Sequence, residues 1–152
     1  MISPSLAGKR IAVTGSTGFL GTALVERILR EVPDCELVLL VRPTRRNSAE
    51  RRVQREILRN DAFDSLRSQW GESFEETCEQ RISVVSGDVS ADGLGLSDLD
   101  RRLFISADVI IHSAATVSFD SPLDSSIEIN LLGPNRIVQL LNEEAVTPHL
   151  IA

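Results

Sequence analysis

The sequence predicts an α/β fold, a doubly wound parallel sheet of about five strands with helices on both faces. Three observations carry that prediction. Short, nearly continuous apolar runs recur at 9–14, 36–41, 81–90, 108–115 and 149–152, as strands covered on both sides require. Segments of helical spacing separate them, so strand and helix alternate along the chain. Three glycines, Gly15, Gly18 and Gly21, crowd the passage from the first strand to the first helix in "VTGSTGFLG".

Each element has a local reason. "KRIAVT" (9–14) is a short β-branched run closed by a glycine, the pattern of a buried strand. Over 19–30, Leu20, Leu24 and Ile28 recur every four residues with Ala23 beside them, as on one helix face, until Pro33 and Asp34 break the run. "ELVLLV" (36–41) is apolar without interruption. An insert of about forty residues follows. In it Asn47 or Ser48 is placed to cap a helix whose Val53, Ile57 and Leu58 share a face. After a break near Asn60 and Asp61, the residues Phe63, Leu66 and Trp70 continue at helical spacing, as core over the sheet edge. "RISVVSGDVS" (81–90) is a third strand running into a turn, and Ser97, with Asp100 three residues on, opens a short helix. "DVIIHSAA" (108–115) is a fourth strand, a long helix lies within 122–144, and "HLIA" (149–152) begins a fifth strand. That last run stops inside an apolar segment. The chain, one domain over 1–152, is therefore expected to be the N-terminal part of a longer protein, truncated on the C-terminal side of its sheet.

Composition excludes several classes of partner. The net charge of −6 argues against a nucleic-acid binder, whose footprint is basic. No apolar run approaches the ~18–20 residues of a membrane span. "MISPSLAGKR" has no basic segment followed by an apolar core, so no signal peptide is visible and a cytoplasmic location is expected. Cys35 and Cys78 lack paired metal-ligand spacing and read as reduced structural thiols. The charge is nevertheless uneven. Arg42, Arg45, Arg46, Arg51, Arg52, Arg55 and Arg59 stand against only Glu50 and Glu56, a basic island suggesting a local anionic ligand. For Arg51, Arg52, Arg55 and Arg59 a solvated helix face is the preferred reading.

The glycines say what the ligand is. A helix N-terminus presents unpaired backbone N–H groups and a partial positive charge, and a pyrophosphate reaches it only where no side chain intervenes. Gly15 suits the tight turn, Gly18 the approach of the phosphate and Gly21 the packing of helix on strand. Placed between a strand and a helix in the first βαβ unit, this loop predicts dinucleotide binding, with Ser16, Thr17, Phe19 and Leu20 as its other members. The sheet is then Rossmann-type, with strand order 3-2-1-4-5. An acidic residue about 20 positions after the glycines would select NAD by binding the ribose 2′-hydroxyl. Here Arg42 occupies that place, with Arg45 and Arg46 close behind as candidates. Guanidinium matches phosphate, so NADP(H) is predicted over NAD(H), the alternative being that Arg42 only snorkels at the strand end.

"VTGSTGFLG" resembles the cofactor loop of extended short-chain dehydrogenase/reductases. With "LVRP" (40–43), "GDVS" (87–90), "HSAATVSFDSPL" (112–123) and "EINLLGPNRIVQLL" (128–141), the chain resembles the NADP-binding part of fatty acyl-CoA reductases and related thioester reductase domains. The resemblance implies that Asp88 and Val89 meet the adenine, an Asx-type turn at Asp88 being the alternative. Small residues at Ser113, Ala114 and Ala115 would let the backbone approach the nicotinamide-side ribose. Asn130 either supports the active site by ordering its helix or makes a simple core hydrogen bond. Pro134-Asn135 departs from the family's glycine–threonine-like step, and Pro134 either kinks the helix or marks its start. His112 is expected to pack or hydrogen-bond locally, and His149 carries no signal.

The resemblance also defines what is missing. Such reductases use a tyrosine proton donor with a lysine four residues later and a serine that would lie just past "HLIA". This chain has no tyrosine, and its only lysine is Lys9. It is therefore expected to bind cofactor without turning over an acyl-CoA or acyl-carrier thioester substrate. A sugar epimerase or hydroxysteroid-type dehydrogenase on the same fold, and a non-catalytic dinucleotide-binding module, are the alternatives.

Overall fold

The computed structural model describes residues 3–118 and 120–152. After a single turn, α1 (Ser3–Leu6), strand β1 (Arg10–Thr14) leads to α2 (Phe19–Glu31) and β2 (Glu36–Val41). The insert carries α3 (Ala49–Arg52), running on as a π-helical turn (Val53–Leu58), then α4 (Asp64–Trp70) and α5 (Phe74–Arg81). Next come β3 (Ile82–Ser86), α6 (Asp98–Ile105) and β4 (Val109–His112). A composite helix follows: α7 (Leu123–Ser126), a π turn (Ile127–Leu131) and α8 (Leu132–Glu143), before β5 (His149–Ile151). All pairings are parallel and the order is β3-β2-β1-β4-β5, as the sequence predicts.

Alternation along each strand divides the apolar side chains between two cores. Ile11, Val13, Leu37, Leu39 and Val41 face α2 and the insert, where they meet Val25, Ile28, Leu29, Val53, Ile57, Phe63, Leu66 and Phe74. Ala12, Val38, Leu40, Val85 and Ile110 face the other way, onto Phe104, Ile137 and Leu140. Both faces are thus covered, which is why these strands are apolar without alternation. Phe63 and Leu66 are buried and Trp70 packs at the edge of the first core, as expected. Ser48, rather than Asn47, caps α3 by accepting from the Arg51 N–H, and Ser97 caps α6 from the Asp100 N–H.

The structure departs from the sequence reading, or adds to it, at four points. In α2 the core face is Val25, Ile28 and Leu29, while Leu20 and Ala23 are exposed and Leu24 half-buried. The first turn of α2 stands at the open end of the sheet, where there is no layer to cover Leu20. The insert contains α5, whose buried Phe74 and Cys78 lie one turn apart in an otherwise polar segment. β4 ends at His112, because Ser113 turns both its N–H (3.2 Å) and its hydroxyl (2.9 Å) onto the Thr14 carbonyl. The helix within 122–144 is not continuous α. Proline at 134 has no N–H for the Asn130 carbonyl one turn back, so the α register is lost there and a π turn precedes α8. Pro134 itself falls in the first turn of α8.

Both cysteines are buried and unpaired, and burial pushes the Cys78 thiol up to about 11. Among the described residues no helix is long and apolar enough to cross a membrane, and no three His, Cys, Asp or Glu side chains are grouped to hold a metal ion.

Candidate functional site

A cleft of about 260 Å³ opens beside the ends of β1, β2 and β4, where the strand order reverses. Open α/β sheets bind their ligands at this point. The glycine loop forms its floor, with Gly15, Thr17 and Gly18 on its surface.

The three glycines have different causes. Gly15 has φ +74°, and a Cβ there would lie 2.5 Å from the Ala114 nitrogen. A Cβ at Gly21 would lie 2.1 Å from the Gly15 carbonyl oxygen. The protein itself therefore excludes side chains at both. Gly18 differs: its φ of −84° suits any residue, and a Cβ would meet only the Gly15 oxygen, at 3.3 Å. The bare backbone at Gly18 leaves room for something outside the chain. Gly18 is also the N-cap of α2, with no side-chain cap, and the first turn carries no acidic residue. The Gly18 N–H donates to the Gly15 carbonyl (3.0 Å), and the N–H groups of the first turn of α2 that follow it are left to an outside acceptor. In the same loop the Ser16 hydroxyl is buried without a hydrogen-bond partner.

Arg42 leaves β2 with its side chain 61% exposed at the cleft and its guanidinium 3.6 Å from an Asp88 carboxylate oxygen. Arg52 joins it there, which corrects the solvated reading of that residue. Only 17% exposed, Arg52 donates to the Arg42 carbonyl (2.7 Å), to Glu56 (2.7 and 2.9 Å) and, at 3.4 Å, to the Thr17 hydroxyl. It thereby ties the insert helix to the strand end and the glycine loop, and its hydrogen bond holds the Glu56 carboxyl below its ordinary value. Arg51, Arg55 and Arg59 are exposed, as expected. Arg45 and Arg46 do not border the cleft. Their turn is closed by Thr44, whose N–H donates to the Asn47 carbonyl (2.9 Å) and whose hydroxyl accepts the Asn47 N–H (3.1 Å), leaving both side chains in solvent.

The other predicted residues fall in two groups. Asp88, Val89, Ser113, Ala114 and Ala115 border the cleft. Ser16 and Gly21 are buried beneath the loop, whereas the Phe19 and Leu20 side chains point to solvent, 98% and 67% exposed. Asp88 makes the Asx-type turn that was the alternative for it, one oxygen accepting from the Ser90 N–H (2.9 Å) and hydroxyl (2.7 Å). Its other oxygen is the one facing Arg42. Asn130 makes no core bond. Its amide pairs twice with the Thr116 backbone, accepting from the N–H and donating to the carbonyl, both at 2.8 Å. It thereby fixes the segment that leaves β4. Ile129, from the same π turn, borders the cleft and carries no signal in the sequence.

A phosphate-accepting loop, two guanidinium groups at one end and a wall of small residues at the other fit a phosphorylated dinucleotide. Fold and site together define a dinucleotide-binding α/β domain. The chain belongs to the family described as Male sterility protein, whose NAD-binding model matches residues 13–150. It is 39% identical over 132 residues to fatty acyl-CoA reductase 1 of Arabidopsis thaliana, covering 84% of this chain and 27% of that one. It is 34% identical over 136 residues to the alcohol-forming fatty acyl-CoA reductase of Simmondsia chinensis, covering 88% and 28%. Among solved structures, the terminal R domain of the myxalamid biosynthetic pathway matches with TM-score 0.69 and 31% identity, over 95% of this chain and 33% of that one. The chain thus spans about a quarter of the length of the curated relatives it matches.

Proposed function

We propose that these 152 residues are the NADP(H)-binding portion of a fatty acyl-CoA or acyl-carrier thioester reductase. Family membership and the reductase relatives support the reaction class. The observation that carries the cofactor choice is the pair Arg42 and Arg52 at the end of β2, where an NAD site would need an acid. Bound NADPH supplies hydride for a thioester carbonyl, giving an aldehyde or, after a second transfer, an alcohol. Arg42 and Arg52 hold the 2′-phosphate, the first turn of α2 binds the pyrophosphate, and Asp88 with Val89 borders the adenine. Ser113, Ala114 and Ala115 form the wall for the nicotinamide-side ribose, and Asn130 fixes that wall through Thr116.

These residues bind and orient; none of them is a proton donor to the carbonyl. The chain has no tyrosine, and Lys9 pairs with Asp108 (3.3 Å) at the other end of the sheet, ahead of β1 and β4. By itself the chain binds cofactor and leaves thioester unreduced. A cytoplasmic location fits the two unpaired cysteines, although one relative is named chloroplastic. The test is to incubate the parent polypeptide with NADPH and either a long-chain acyl-CoA or an acyl-carrier thioester. Oxidation of NADPH with release of free thiol is expected. Binding of NADPH without turnover on either substrate would instead make this a non-catalytic dinucleotide module.

A further inference from the structure

His112 is the one polar side chain of β4 that the site as described leaves unused. It stands opposite Thr14 in the last rung between β1 and β4, immediately before Gly15 on one strand and Ser113 on the other. Thr14 is completely buried. Its hydroxyl oxygen lies 2.7 Å from His112 Nδ1 and accepts the Ala114 N–H at 3.3 Å. Its carbonyl takes both bonds from Ser113.

A hydroxyl has one proton to give. The Ala114 N–H is a donor only, so the proton of Thr14 has His112 Nδ1 as its acceptor. With Nδ1 accepting, the ring proton sits on Nε2. The opposite tautomer would make Thr14 accept twice and leave its own hydrogen buried without a partner, which is costly. The spacing this pair sets is critical, because the glycine loop and the facing wall touch backbone to backbone: a Cβ on Gly15 would be 2.5 Å from Ala114 N and 2.6 Å from Ser113 C.

We propose that His112 is a positioning residue: as the neutral Nε2–H tautomer it accepts the hydrogen bond of the Thr14 hydroxyl at Nδ1 and so turns the Thr14 oxygen onto the Ala114 N–H, setting the wall of the cleft against the glycine loop. Burial alone lowers the imidazole's pKa, which favours the neutral ring. The proposal rests on the dinucleotide reading of the cleft for its consequence, but not for the tautomer.

Two measurements test it. Long-range nitrogen–proton NMR of the chain at neutral pH, with His149 as the only other imidazole to assign, is expected to show His112 protonated on Nε2. Protonation on Nδ1 overturns the proposal. Titrations then compare NADPH with 2′,5′-ADP, which carries only the adenosine end. His112→Asn keeps an acceptor at the Nδ1 position and is expected to hold NADPH affinity within twofold. His112→Leu is expected to lose tenfold for NADPH while 2′,5′-ADP stays within twofold. Equal NADPH affinity in His112→Leu and the unmutated chain overturns the role. Should the leucine variant fail to fold, His112→Gln, whose amide reaches past Nδ1, takes its place with the same expected loss. If the unmutated chain binds no dinucleotide, the cofactor reading falls while the NMR result still decides the Thr14–His112 pair.

Discussion

Replacing Gly21 by alanine is expected to cost the fold about 3 kcal/mol, lower its unfolding temperature by about 10 °C and abolish dinucleotide binding. The new methyl carbon would lie 2.1 Å from the Gly15 oxygen and 2.7 Å from both Gly15 C and Ser16 Cα, all backbone atoms of the same loop. No side chain can move aside to relieve that contact. The loop must shift, and Gly15 cannot follow freely because its own α-face is pressed on Ala114. Gly18→Ala is the control. Its methyl meets one oxygen at 3.3 Å, so stability should change by no more than about 1 kcal/mol while NADPH binding weakens at least tenfold. Thermal unfolding and a fluorescence titration of both variants separate the two glycines. Retained binding in Gly18→Ala would mean that the space before it is not a ligand's.

Arg81→Ala is expected to destabilise the chain by a comparable amount, about 3 kcal/mol, through a different route. Arg81 ends α5, and its guanidinium donates to the carbonyls of Leu29 (2.9 Å), Val32 (2.6 Å) and Cys35 (3.1 Å) and to the Cys35 sulfur (2.9 Å). The first two carbonyls end α2, where helical partners run out. The group also stands 5.9 Å from the Trp70 ring centroid. One side chain thus fastens α2, the start of β2 and the insert together, and alanine leaves three partly buried carbonyls without it. Each charged hydrogen bond is worth roughly 1.5–3 kcal/mol, offset in part by the entropy of ordering a long side chain. Lysine, a point donor, should recover less than half. Because Arg81 is remote from the cleft, NADPH affinity of the folded protein should not change. A loss below about 1 kcal/mol in denaturant unfolding would contradict this account.

Strand order and the glycine loop were legible because they rest on strong local signals: uninterrupted apolar runs and a strand–glycine–helix passage. Arg42 was legible from its distance to Gly21. Arg52 was not, since a run of arginines does not say which one points inward. That is decided by Ala49, Val53 and Ile57 docking on the first core, which turns Arg52 toward the end of β2. Leu20 and Ala23 misled because helical spacing finds a face without saying how far along the helix the core extends. α5 escaped notice because only Phe74 and Cys78 mark its buried side. Proline at 134 was read correctly as a disturbance, but its effect, a π turn carrying Asn130 and Ile129, needed the register of the helix before it.

Titrating the 152-residue chain with NADPH and NADH, and then repeating both with Arg42→Ala, decides whether the cleft holds NADP(H) and whether Arg42 reads its 2′-phosphate. At least tenfold tighter binding of NADPH is expected, about 1.4 kcal/mol, with most of that margin lost in the variant. Equal affinity for the two cofactors, or a margin untouched by Arg42→Ala, would contradict that assignment.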